Sequence, residues 1–165
     1  MTHMSPQPER RHGVAVACQR ADGRWLLIRR SVMVTAPLRV CFPGGWIEAG
    51  EDQAAAASRE MREELQAEIK PLQCVWRHCY GDPPRTLWGW LAVLKSATLV
   101  PNPTEVHEIL WLTAEEAIHH PDVLPHTDTF FAALYAALAR REDGRERIEE
   151  RGVLFLLPSP FSPLL

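Results

Sequence analysis

The sequence predicts an α/β protein. Three observations point there: strand-like runs recur along the chain, an alanine-rich helix interrupts them in the middle, and an amphipathic helix follows them. The 165 residues suit one domain; 46% are apolar and 24% charged, the balance of a chain that buries a core rather than staying disordered.

The elements follow in order. Residues 1–11 are polar and contain prolines, as expected of a flexible lead-in to a domain over 12–141. Residues 12–20 (HGVAVACQR) alternate like a strand, Ala21-Asp22-Gly23 make a turn, and 24–30 (RWLLIRR) read as the returning strand of a hairpin. Residues 31–39 form a loop. Residues 40–42 are a short strand stopped by Pro43-Gly44-Gly45. A helix runs from Asp52 to about Gln66, favoured by four consecutive alanines. Residues 71–80 and 86–95 are strands joined across Gly81-Asp82-Pro83-Pro84, and 108–112 a further short one. Thr113 and Glu116 form a capping box that opens a brief helix ended by Pro121. Residues 126–141 give the late helix, with arginines in its last turn where the helix dipole favours them. The remainder, 142–165, reads as a charged linker and an apolar, proline-broken tail that docks on this domain or on a second subunit of a homodimer.

Charge and cysteine usage exclude several classes. A net charge of -3 argues against a surface for duplex nucleic acid. All basic residues except Lys70 and Lys95 are arginines, whose planar forks suit phosphate, although biased codon usage accounts for them more simply. Cys18, Cys41, Cys74 and Cys79 show no C-x-x-C or zinc spacing. With no apolar N-terminal stretch and no 18-residue apolar run, the expectation is a cytoplasmic protein without membrane contact.

The chemistry concentrates between Gly45 and Ala67. Glu60, Glu63 and Glu64 stand at i, i+3 and i+4, so three carboxylates crowd one helix face and repel. A hard divalent cation, Mg²⁺ or Mn²⁺, would neutralise them. Ala54, Ala57, Met61 and Leu65 form an apolar stripe on the neighbouring face, and the glycine loop before the helix offers backbone amides to anionic oxygens. Glutamate-rich solvated helices are common, so three glutamates alone would indicate only solubility.

The full spacing demands more. Gly45, Glu51, Arg59, Glu60, Met61, Glu63 and Glu64 match the pattern G-x5-E-x7-R-E-U-x-E-E-x-G-U, where U is a bulky aliphatic residue. On these residues the sequence resembles the Nudix hydrolase family; LLIRRS at 26–31, FPGG at 42–45, Glu48 and Glu108-x-x-Trp111 resemble its flanking segments. Gln66 replaces the family's glycine and Ala67 its last aliphatic residue, so the helix exit is expected to be reshaped or one residue longer.

The resemblance implies an α/β/α sandwich with a mixed β-sheet between helices. It also implies hydrolysis of a nucleoside diphosphate linked to another moiety, such as ADP-ribose, a sugar nucleotide, a dinucleotide or a nucleoside triphosphate. Glu60, Glu63 and Glu64 would hold Mg²⁺ or Mn²⁺, with Arg59 orienting them through an ion pair to Glu51. Gly45 and Glu51 would shape the box. Glu63 is the expected general base, with Glu105 or Glu108 as rival. Arg29, Arg30 and Arg39 offer cationic forks to an outer phosphate; Arg29, Arg39, Glu48 and Glu105 are the expected substrate contacts. Trp46, Trp88 and Trp90 are stacking candidates, though tryptophans in a small domain more often serve the core. Pro83 falls where some ADP-ribose-cleaving members carry a proline, but a turn explains it equally; the pattern of coenzyme A-cleaving members is incomplete between Ser31 and Phe42. Two further readings stand: a non-catalytic nucleotide sensor on the same fold, and isomerisation of a prenyl diphosphate, for which Cys41 gives little support.

Overall fold

The computed structural model describes residues 11–143, the side chains of 142 and 143 aside. Its elements are β1 (Arg11–Cys18), β2 (Trp25–Arg30), β3 (Val40–Cys41), α1 (Gln53–Leu65), β4 (Ile69–Tyr80), β5 (Arg85–Leu94), β6 (Val106–Leu112), α2 (Ala114–Ile118) and α3 (Thr127–Asp143). Of the expected flexible segment over 1–11 and the linker and docking tail over 142–165, residues 1–10 and 144–165 fall outside the described residues, while Arg11 already belongs to β1 and 142–143 to the end of α3.

The mixed sheet is β1-β5-β4, with β1 parallel and β4 antiparallel to β5. A second sheet, β3-β2-β6, is antiparallel throughout. The hairpin expected between β1 and β2 is not formed. Asp22 closes the turn by accepting from the Arg24 amide at 3.1 Å, but only Gln19 and Trp25 then pair, and the strands splay into different sheets. The reason lies in β1 and β2 themselves, where Val14–Cys18 and Trp25–Ile28 are buried on both faces. Alternation sends Val14, Val16, Leu26 and Ile28 into a core under α1. Ala15, Ala17, Trp25 and Leu27 go into a second core under α3.

Helix α1 starts at Asp52, whose carboxylate accepts from the Ala55 amide at 2.8 Å. It buries Ala56, Ala57, Met61 and Leu65. The reshaped or longer exit is corrected: Gln66 itself adopts the left-handed conformation, φ 51°, that the family's glycine would take. The Gln66 and Ala67 amides then return to the carbonyls of Arg62 and Met61, and Ala67 turns into the core. This conformation costs a non-glycine residue about 1 kcal/mol. The capping box at Thr113 and Glu116 is present, but α2 ends at Ile118 with His119 as its cap, before Pro121.

Candidate active site

Helix geometry divides the three box glutamates. At about 100° per residue, Glu64 is turned toward the Met61–Leu65 stripe and Glu63 away from it. Glu60 and Glu64 are 7% and 3% exposed, whereas the Glu63 side chain keeps half its surface in solvent. Glu60 and Glu64 are joined by Glu105 from the loop before β6. The three carboxylates place ligand atoms within 4.8 Å of one another, and Glu63 is not among them.

Backbone ties bring Glu105 there. The Asn102 and Val100 amides donate to the carbonyls of Glu64 and Leu65 at 2.8 and 2.9 Å, docking the loop on the last turn of α1. Asn102 Nδ2 donates to Glu105 Oε1 at 3.2 Å, and the Ser31 amide donates to the Glu105 carbonyl at 2.8 Å.

Arg59 organises the other side of the cluster. Its Nε and Nη2 grip both oxygens of Glu51 at 2.9 and 3.0 Å, Nη1 donates to Glu60 at 2.9 Å and to Glu63 at 3.0 Å, and Nη2 also reaches the Trp46 carbonyl at 2.8 Å. This bidentate pairing holds Glu51 below the usual carboxylate range. The expected Arg59–Glu51 pair is therefore in place.

Burial pushes the Glu60 carboxyl up, against the pull of Arg59. It pushes Glu64 up to about 8, with Glu60 and Glu105 adding repulsion, while the Gly44 amide, 2.8 Å from Glu64 Oε2, and to a lesser extent the Arg30 charge oppose it. Three hard oxygen donors, desolvated and mutually repelling, fit a divalent cation.

The remaining expected site residues lie outside this cluster. Arg29 is engaged by Asp122 at 2.8 Å, Glu108 at 3.2 Å and the Leu38 carbonyl. That pairing also occupies Glu108, the second rival base. Arg39 Nη2 donates to the Val123 carbonyl at 2.6 Å, and Arg30 Nε to the Thr35 carbonyl at 2.7 Å. Glu48 is exposed, its amide donating to Glu51 at 3.1 Å. Trp88 and Trp90 donate to His12 and Gln53 on the α1 side, and Trp46 is 42% exposed at the box loop. Burial pushes the Cys41 thiol up to about 11, leaving it unreactive and removing the support it lent to isomerisation.

The role of Glu105 as a partner of Glu60 and Glu64 was missed in the sequence, because a loop residue carries no periodicity. The turn-forming Asn102-Pro103-Thr104 before it was the available signal.

Comparison with known proteins matches residues 9–134 to the model of the NUDIX domain. The chain belongs to the NUDIX family. Among its NUDIX relatives, the human protein named m7GpppN-mRNA hydrolase NUDT17 is 30% identical over 167 residues, covering 82% of this chain and 49% of its own length. The NAD-capped RNA hydrolase NudC of Stutzerimonas stutzeri (strain A1501) is 30% identical over 103 residues, 62% of this chain and 34% of its own. The chain thus spans about half of the human relative and about a third of the bacterial one. The NUDIX fold is shared with the crystal structure of the MutT protein from Methanosarcina mazei Go1. Its TM-score is 0.69 at 18% identity, over 81% of this chain and 99% of that one. No helix among the described residues is long and apolar enough to cross a membrane.

Proposed function

We propose that this NUDIX protein is a pyrophosphohydrolase, dependent on Mg²⁺ or Mn²⁺, that cleaves the diphosphate of a nucleoside diphosphate linked to another moiety. The observation that carries the reading is the convergence of Glu60, Glu64 and Glu105 beside the Gly44-Gly45 backbone. In this reading these three carboxylates hold the ion. Bound there, a divalent ion screens the diphosphate charge and makes water more acidic.

The chain's own groups do the rest. Arg59, backed by Glu51, pairs the Glu60 carboxylate and aims it, opposing in part the upward push of burial. Glu63, held at the rim by Arg59, takes the proton of the attacking water, and Glu105 is its competitor for that role. Arg29 and Arg39 act first by fixing the 122–123 segment; either reaches an outer phosphate only by releasing Asp122 or Val123. Glu48 offers a contact at the mouth.

The names of the relatives favour substrates in which phosphates join two nucleosides, over nucleoside triphosphates. The test is a hydrolysis screen with and without Mg²⁺ or Mn²⁺. It includes capped and NAD-capped oligonucleotides, ADP-ribose, dinucleoside polyphosphates, sugar nucleotides, coenzyme A and nucleoside triphosphates. Metal-dependent cleavage of one class, lost in Glu60→Gln, supports the reading; silence across the panel with metal binding intact favours a sensor. Sedimentation with and without residues 152–165 tests the proposed homodimer.

A further inference from the structure

The core under α1 is open at one end of the fold. Leu94 closes β5, Leu99 follows in the next loop, and Ile109 and Trp111 belong to β6. All four pack against that core, yet each keeps part of its surface in solvent. With Arg20 and the exposed Ala97 they line a groove of about 430 Å³. The Arg20 guanidinium lies 4.6 Å from the centre of the Trp111 ring and pairs with Asp22, so its charge is already met. Apolar side chains gathered in a concave surface are more stable covered than wet.

Helix α3 delivers the chain to this same end. His126, just before α3, sets its ring against His78, whose strand partner Leu87 pairs with Gly13 near the start of β1. Further along α3, Tyr135 lies 6.3 Å from Trp25, which bridges to Gln19 just past the end of β1. The helix therefore runs along β1 toward the Arg20–Arg24 turn, and Arg20 of that turn is one wall of the groove. From Tyr135 it rises about 12 Å more to its last residue, Asp143. Helix and groove stand on opposite faces of the strands, a step of about 20 Å across the layers. Ten residues lead from Asp143 to Val153, and an extended chain of that length spans about 33 Å. What it brings is apolar: residues 153–157 read VLFLL. Residues 1–10 are a poorer match, being largely polar and joining β1 at Arg11, its opposite end.

We propose that residues 153–157 dock in the Leu94–Leu99–Trp111 groove of their own chain and close the α1 core from outside. Chemistry and reach both select this occupant. A linker this short also holds the segment at a high effective concentration, on the order of millimolar, which favours its own groove over that of a second copy. Docking there fastens the loop after β5, which leads straight into Val100 and Asn102, whose amides bond the last turn of α1. The inference stands apart from the diphosphate reading and is tested without turnover.

Hydrogen exchange of the full chain, followed by mass spectrometry at two protein concentrations, reads both partners. The expected result is exchange slowed about tenfold or more over 96–99 and over 153–157, equally at both concentrations. Phe155→Asp, which changes only the tail, and removal of 153–165 are each expected to release the 96–99 loop. Ala97→Arg, at an exposed position that fills the groove, is expected to release 153–157 with the β-strands still protected. Full-speed exchange of 153–157 in the wild type, or a 96–99 loop indifferent to Phe155→Asp and to truncation, would overturn the proposal. So would tail protection that survives Ala97→Arg, which places the tail elsewhere. Protection that appears only at the higher concentration, where the chain sediments as a dimer, assigns the tail to a second copy and overturns docking within one chain.

Discussion

Gly45 lies against the side chain of Glu60. A Cβ at Gly45 would fall 2.5 Å from both Cδ and Oε1 of Glu60 and 2.6 Å from Oε2. The loop glycine thus sets the place of a buried carboxylate, and its lack of a side chain is what the site needs. Gly45→Ala should displace Glu60, weakening Mn²⁺ binding about tenfold or more while far-UV circular dichroism stays unchanged. Titration of Mn²⁺ by electron paramagnetic resonance reads this directly.

Gln66 offers a change in the opposite direction. Its left-handed backbone is strained for any residue with a Cβ. It is also exposed, so little packing is lost on trimming it. Gln66→Gly should stabilise the fold by about 1 kcal/mol, raising the melting temperature by a few degrees. Urea unfolding with unchanged m-value would verify it.

The metal-free protein should lose stability as pH rises. Glu64 has its carboxyl pushed from an ordinary 4.5 to about 8, and Glu60 shifts the same way. Between these limits the folded chain retains a proton that the unfolded chain has released, so the folded state binds more protons. Stability is then greatest below pH 4.5, as far as these two groups decide it, and falls through pH 8. Saturating Mg²⁺ should flatten this slope, because it stabilises the ionised form. Melting curves at pH 5 and 8, with Mg²⁺ and with chelator, measure both effects.

Arg59 makes five hydrogen bonds to four residues, and its planar fork is what allows it to bind Glu51 through both oxygens. Arg59→Lys keeps the charge and loses that geometry. If the protein hydrolyses diphosphates, the variant should lose roughly 10–100-fold in activity, as supporting groups around metal ligands commonly do. Normal metal-dependent turnover in Arg59→Lys would confine the arginine to a structural role.

Much of the element order was legible because its signals are local. Four alanines and the Asp52 cap mark α1, and Thr113 and Glu116 mark α2. Strand partners are not local. The turn at Asp22 looks like a hairpin from either side, and only the burial of β1 and β2 on both faces separates them. The box spacing brought Glu60 and Glu64 forward correctly as neighbours on one face. It could not place Glu105, whose position depends on Asn102 and Val100 docking on the end of α1. Three glutamates at i, i+3 and i+4 carry no sign of unequal burial by themselves; it follows from their different angles to the Met61–Leu65 stripe.

Glu60, Glu64 and Glu105, rather than the three glutamates of α1, form the proposed metal-holding group. Mn²⁺ titrations of wild type, Glu64→Gln, Glu105→Gln and Glu63→Gln test it most directly. The expected result is a saturable site in the wild type, a loss of at least tenfold in affinity in Glu64→Gln and Glu105→Gln, and near-wild-type binding in Glu63→Gln. No saturable site in the wild type, or a loss in Glu63→Gln as large as that in Glu105→Gln, would contradict it.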